Sequence, residues 1–272
     1  MAKKKIGIYG QLQSTANNKV EDLYIIVDEQ SICFSVKNIV SNEYVAFEAF
    51  TNTIENNGWS QLVAYLQNNS KLIQAIYRDI HFVMNSSRMI LSKKQQISDL
   101  TIYLNELNIV QGEKYEEELM ISSAGAQAVL VYSVPDALQS LLSRIFPTGK
   151  WRHYASFLID HHDETGMYIQ LFENNYILLI HNDSQIKYLQ YQNISGDDQN
   201  VYTILNACKS IGMNPNNMSV FISGYNELEH VWVNNLVSYF ENAAIKNAPE
   251  SGIGATLNKE YPHHNYATYF IF

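Results

Sequence analysis

The chain has 272 residues, of which 46% are hydrophobic and 17% charged, with a net charge of −9. That is the balance of a folded globular protein rather than a disordered one, and an isoelectric point near 5.3 argues against the broad positive field that nucleic acid or an anionic membrane requires. No apolar run reaches membrane-spanning length, and Cys33 and Cys208 lie far apart within apolar stretches, which reads as two core thiols in a reducing cytoplasm.

In chain order, Lys3–Lys4–Lys5 leads into a polar, glycine-bearing segment, Ile6 to Asn18, without the apolar core of an export signal. Residues 1–20 are therefore expected to form a flexible tail. Three runs of strand length follow, Leu23–Val27, Ser31–Lys37 and Tyr44–Phe50, and then a helix over Trp59–Gln67 with Leu62, Val63 and Leu66 at helical spacing. Gln74–Lys94 holds two strands, Ala75–Asn85 and Arg88–Ser92, broken at Ser86–Ser87. Ser98 caps a helix reaching Asn108, with Leu100, Tyr103, Leu104 and Leu107 on its apolar side. Residues 21–112 thus read as one half: three strands, helix, strand, helix.

Glu116 to Val134 reads as two more strands, and Pro135–Asp136 opens a helix that runs through Ile145 and ends at Pro147–Thr148–Gly149. His153–His162 fits a strand and a helix equally well. The three-strand pattern then returns at Met167–Glu173, Tyr176–Asn182 and Ile186–Gln192, with a tight turn at Asn174–Asn175. Asp197–Asp198 caps a helix carrying Val201, Ile204, Leu205 and Cys208, Gly212 stops it, and Met218–Ile222 is a buried strand ending at Ser223–Gly224. Leu228–Ile245 outlines one long amphipathic helix, with Trp232, Tyr239 and Phe240 in the core. Pro249 to His264 is loop-like, and Ala267–Phe272 is expected to dock as an added strand on its own sheet or on a second copy of the chain. Residues 113–272 read as crossover elements, the second half and a C-terminal strand.

This order of elements, present twice, resembles the actin-like ATPase fold: an α/β (α+β) architecture of two ribonuclease-H-like halves, covering about residues 21–246 here. Within it the chain is similar to a family of uncharacterised Bacteroidota proteins. The residues carrying that likeness are Val27-Asp28-Glu29-Gln30-Ser31, Asp197-Asp198-Gln199-Asn200-Val201-Tyr202-Thr203-Ile204-Leu205 and Phe221-Ile222-Ser223-Gly224. The resemblance implies a nucleotide cleft with Asp28 and Ser31 on the phosphate and Mg²⁺ side and Ser223 and Gly224 on the purine side.

The phosphate turns of that fold use glycine for close backbone approach, and here they depart from it. Gln30 stands where glycine is expected, Glu29 adds negative charge, and the matching turn Glu173-Asn174-Asn175-Tyr176 also lacks glycine. The reading is a non-catalytic binding or scaffold protein without a cofactor, resembling assembly-platform proteins of bacterial secretion and pilus systems. Its partner is another protein, with a homodimer as one oligomeric state, and neither nucleic acid nor membrane insertion is expected. The alternative is a nucleotide-binding ATPase or kinase-like enzyme using Mg-ATP. His161-His162-Asp163-Glu164 and His263–His264 lack metal-ligand spacing, and Ser223–Gly224 lacks the upstream glycine of a nucleophile elbow. A ribonuclease-H-type nuclease would need several converging carboxylates, for which Asp28 is one candidate.

Overall fold

The structure is a computed structural model, and it describes residues 3–29, 31–51, 58–94, 100–114, 116–125, 128–162, 164–182, 185–224, 231–246, 252–260 and 267–271. The chain divides into two compact units, Met1–Ser156 with Glu250–Tyr261, and Phe157–Pro249 with Pro262–Ile271. The expected boundary at residue 112 falls inside the first of these. Asn174–Asn175, Gly212 and the apolar runs around them give the expected elements of the second.

In unit 1, β1 (Lys3–Tyr9), β2 (Glu21–Val27), β3 (Ser31–Asn38), β4 (Glu43–Thr51), β5 (Ile80–Met84) and β9 (Lys150–His153) form a sheet ordered β1-β4-β3-β2-β5-β9. Strands β2 and β3 are buried along almost their whole length, as continuous apolar runs in a covered sheet should be. Helix α1 (Trp59–Asn69) joins β4 to β5 and buries Leu62, Val63 and Leu66. Between β5 and β9 the chain makes an excursion: β6 (Met89–Lys93), α2 (Leu100–Gln111), β7 (Glu117–Ala124) and β8 (Ala128–Pro135) build a separate sheet, β6-β8-β7. Helix α2 packs Tyr103 and Leu107 against Val129 and Val131 of that small sheet. Helix α3 (Asp136–Ile145) then returns the chain to β9 and packs beside α1.

In unit 2, β10 (Gly166–Leu171), β11 (Asn175–Asn182), β12 (Gln185–Asn193), β13 (Ser219–Gly224) and β14 (Asn242–Lys246) form a sheet ordered β12-β11-β10-β13-β14. Helix α5 (Asp197–Ser210) joins β12 to β13, and α6 (Val231–Val237) precedes β14. Its core gathers Ile169, Leu178, Val201, Ile204, Cys208, Trp232 and Leu236.

The duplication holds residue by residue. Val27 pairs with Ile32 in the first hairpin as Leu171 pairs with Tyr176 in the second, and the parallel partners are Met84 and Gly224. The third strand carries a bulge at the same place in both: Val36↔Ala46 shifts to Lys37↔Tyr44, and Ile180↔Tyr188 shifts to His181↔Ile186.

Several expectations are corrected. The first twenty residues are not a loose tail: Lys3–Tyr9 pairs antiparallel with β4. Two buried carboxylates anchor that segment. Glu48 accepts hydrogen bonds from Lys4 Nζ, Tyr9 Oη and Ser70 Oγ, and Glu21 accepts from the Gln13 and Ser14 amides at 2.8 and 2.7 Å. A sequence segment with little to bury is held instead by charge-assisted bonds to groups distant in sequence. Helix α2, assigned above to the recurring half, belongs to the inserted module, and α3 is the helix returning to the main sheet.

The long helix expected over Leu228–Ile245 is α6 followed by β14, because Asn242–Lys246 finds a parallel partner in β13. Tyr239 is accordingly half exposed rather than core, whereas Trp232 and Phe240 are buried. His153–His162 resolves as the last residue of β9 and helix α4 (Tyr154–His161). The loop expected at Pro249 to His264 contains α7 (Ala255–Glu260), with Ile253 bridged to Tyr44, while Pro249 and residues 261–264 lie outside the described residues. Finally, in place of the strand expected over Ala267–Phe272 the described residues make a 3₁₀ turn, Ala267–Tyr269, with Thr268, Tyr269 and Phe270 buried, and Phe272 lies outside the described residues. Ordering of the end is as expected, but it is achieved by side-chain docking rather than by a ladder.

Candidate functional site

In each unit the carboxyl ends of the parallel strands and the first hairpin turn form one edge, the place where open α/β sheets bind ligands. In unit 1 that edge carries Asp28 and Ser31. Asp28 is 7% exposed. Its Oδ1 accepts from the Ser31 amide at 2.6 Å and its Oδ2 from the Ser31 hydroxyl at 2.7 Å, while the Asp28 amide donates to Ser31 O at 3.1 Å. Both carboxylate oxygens are therefore engaged by the turn they close, a local motif that aspartate favours. Gln30, the residue in the expected glycine position, lies outside the described residues.

Strands β5 and β9 end beside this turn. The Asn85 amide donates to Val27 O at 2.8 Å, and His153 is fully buried at the end of β9. His153 Nδ1 accepts from the Ala155 amide at 3.1 Å, so Nε2 carries the proton and donates to Ser86 O at 3.1 Å. Burial drives the imidazole pKa down to about 4, only partly opposed by the Ser86 carbonyl, and the ring is neutral at physiological pH. Sequence reasoning missed His153, because a lone histidine between a strand and a helix has no motif to mark it.

In unit 2 the register places Phe172, not Glu173, opposite Asp28 in the duplication: Phe172 N donates to Asn175 O at 2.8 Å as Asp28 N does to Ser31 O. The second copy of the turn therefore has a buried phenyl ring where the first has a carboxylate. Ser223 and Gly224 end β13, and the chain's own C-terminal turn meets them. Ser223 Oγ donates to Gln170 Oε1 at 2.8 Å, Gln170 Nε2 donates to Thr268 Oγ1 at 2.9 Å, and Thr268 Oγ1 donates to Leu171 O at 2.6 Å. Gly224 has φ +116°, and a Cβ there would lie 2.2 Å from Leu171 O and 2.6 Å from Thr268 Oγ1. Close backbone packing inside this unit already requires glycine at that position. The structure thus brings Asp28 to Ser31 in one unit and Ser223 and Gly224 to Gln170 and Thr268 in the other.

The remaining sequence candidates have local partners. His161 Nδ1 lies 2.8 Å from Phe157 O, and His162 stacks on Tyr168 with ring centroids 4.1 Å apart. Asp163, His263 and His264 are outside the described residues, and among those described no group of three or more His, Cys, Asp or Glu is placed to hold a metal. Cys33 and Cys208 are buried and not joined in a disulfide, and burial pushes the Cys208 thiol up to about 11. Among the described residues no helix is long and apolar enough to cross a membrane.

With this geometry in view, comparison with known proteins is informative about fold. The family model described as "Protein of unknown function (DUF3822)" matches residues 11–243. A Bacteroides thetaiotaomicron protein with an actin-like ATPase fold and unknown function superposes with a TM-score of 0.73 at 14% identity, over 90% of this chain and 95% of that one. The PilM–PilN type IV pilus biogenesis complex matches with a TM-score of 0.54 at 11% identity, over 93% and 97%. The cytoplasmic domain of EpsL, an inner membrane component of the type II secretion system of Vibrio cholerae, matches with a TM-score of 0.51 at 14% identity, over 88% and 91%. No curated protein matches in sequence. The expected actin-like ATPase fold is therefore present, and at these identities the likeness speaks for fold alone.

Proposed function

We propose, from the premise that the chain belongs to the DUF3822 family of proteins of unknown function, that it is a non-catalytic binding protein. It keeps the two ribonuclease-H-like sheets of the actin-like fold and uses them to engage another protein. The observation that carries this reading is at the end of β13. At Ser223–Gly224, the strand end that the resemblance assigns to the purine, Thr268 of the same chain packs in, buried and hydrogen-bonded to Leu171 O at 2.6 Å. Asp28 supports the same reading, since both its carboxylate oxygens accept from Ser31 in the turn they close. Two of the structural neighbours are described as members of protein assemblies, a secretion system and a pilus complex, which fits a protein partner. Buried cysteines outside any disulfide, Cys33 and Cys208, fit a cytoplasmic setting.

The competing assignment has Asp28 and Ser31 holding Mg²⁺ and phosphate while Ser223 and Gly224 approach the base. Thermal unfolding with and without Mg-ATP separates the two. A nucleotide present at a hundred times its dissociation constant adds about 2.7 kcal/mol to stability, so binding is readily seen. The expected result is an unchanged unfolding temperature and no ATP turnover. A saturable rise with Mg-ATP that Asp28→Asn abolishes refutes the proposal.

A further inference from the structure

The duplicated sheets differ at one outer edge. In unit 1, β4 is covered by β1, whose Lys3 to Tyr9 run antiparallel to Thr51 to Ala46. The counterpart in unit 2 is β12, also nine residues long and bulged at the same place. Among the described residues no strand is hydrogen-bonded to the outer side of β12. Such an edge presents alternate N–H and C=O groups to any extended chain unless proline, charge or a covering segment blocks it. The β12 sequence QIKYLQYQN contains no proline and a single charged residue, Lys187, at the bulge.

The chemistry of the occupant follows from the duplication. Glu48, which binds Lys4 and Tyr9 of the covering strand, pairs with Phe34 as Gln190 pairs with Leu178, so Gln190 is its counterpart. Gln190 is uncharged and accepts a hydrogen bond from Tyr188 Oη. A lysine-bearing strand like β1 therefore finds no counter-charge there, whereas an amide or hydroxyl side chain finds a neutral partner.

We propose that the outer edge of β12 is a docking site for an extended segment of a protein partner, added antiparallel as β1 is on β4, with an uncharged polar residue facing Gln190. This rests on the binding-protein reading only for the existence of a partner. The test is amide hydrogen exchange on the full chain, read over Tyr188–Asn193 and, for reference, Ala46–Thr51. It is measured alone and with a millimolar synthetic peptide of the Lys3–Tyr9 sequence in which Lys4→Gln.

In the protein alone, the outward amides of β12 should exchange at least about tenfold faster than those of β4. The peptide should slow them by about tenfold or more and leave β4 unchanged. Three results overturn the proposal: protection of β12 without peptide, exchange that the peptide does not alter, or protection that grows with protein concentration as the mass doubles, which makes a second copy the occupant. Nucleotide-dependent stabilisation is read separately, so failure of the non-catalytic reading and failure of the docking edge are distinguishable.

Discussion

Replacing Glu48 with alanine should loosen unit 1 more than any comparable surface change, and the structure indicates by how much. The carboxylate is fully buried, and it receives Lys4 Nζ at 2.6 Å, the Lys71 amide at 3.1 Å and the hydroxyls of Tyr9 and Ser70. Removing one partner of a buried ion pair costs about 3–5 kcal/mol. Lys4 retains 27% side-chain exposure and can hydrate once its partner is gone, which favours the lower end, about 3 kcal/mol. At about 2–4 °C per kcal/mol for a domain of this size, the unit 1 transition in calorimetry should fall by about 6–12 °C. Glu48→Gln keeps one acceptor oxygen, which can serve the Lys71 amide while its NH₂ donates to Ser70 Oγ, and should lose about half as much. Burial pulls the Lys4 ammonium down, but hydrogen bonds and charge from Glu48 and Tyr9 reverse this and leave its pKa raised. A raised folded-state pKa means that the contribution is full at neutral pH and is lost as the pH climbs past the lysine range. A shift under about 2 °C for Glu48→Ala, or an equal shift when Lys4 is already alanine, refutes the argument that this pair holds β1 in place.

Three further outcomes are expected. His153 has its folded-state pKa lowered to about 4, so the unfolded chain binds the proton first: stability should decline as pH falls from about 6.5 toward 4, by at most about 3 kcal/mol, and the His153→Gln chain should show a flatter profile in pH-dependent urea unfolding. Ser31→Ala removes the hydroxyl that donates to Asp28 Oδ2 and should cost about 1–2 kcal/mol by the same denaturation, since a buried carboxylate oxygen loses that donor. Gly224→Ala forces a Cβ to within 2.2 Å of Leu171 O at φ +116° and should cost about 3 kcal/mol or more, visible as a lowered unit 2 transition, whereas a neutral result would show that this strand end is loosely packed.

Most of the sheet architecture was legible because its strands are long apolar runs bounded by turn residues, and the duplication made each half a check on the other. What escaped was held by partners distant in sequence. Lys3–Tyr9 buries little beyond Ile8 and is held as a strand by Glu48, which binds Lys4 and Tyr9, while Glu21 fixes the Gln13 and Ser14 amides that follow. Leu228–Ile245 reads as one helix from apolar positions that run to Phe240, yet Asn242–Lys246 finds a parallel neighbour in β13. At the candidate site, the residues Asp28, Ser31, Ser223 and Gly224 were visible as turn and strand-end positions. Their engagement by Ser31, Gln170 and Thr268 was not, since Thr268 lies 98 residues beyond Gln170 and no local pattern links them.

The inserted module also bears on the order in which the chain folds. Strands β5 and β9 are parallel neighbours, with His81 opposite Lys150, yet the whole β6–α2–β7–β8 excursion intervenes. Bringing the ends of so long a flexible loop together is entropically slow. Within the module β7 and β8 form a local antiparallel hairpin and β6 adds to β8, and Arg88 draws the module's start to its middle, meeting Glu117 Oε2 at 2.8 Å and Asn108 Oδ1 at 2.7 Å. Once that small sheet has collapsed, the loop to be closed is a compact tether rather than a random coil. In unit 2, α6 is the one element between β13 and β14 among the described residues, and the loop to be closed is far shorter. The two halves of one architecture are therefore set to assemble on different clocks, with the first waiting on its insert.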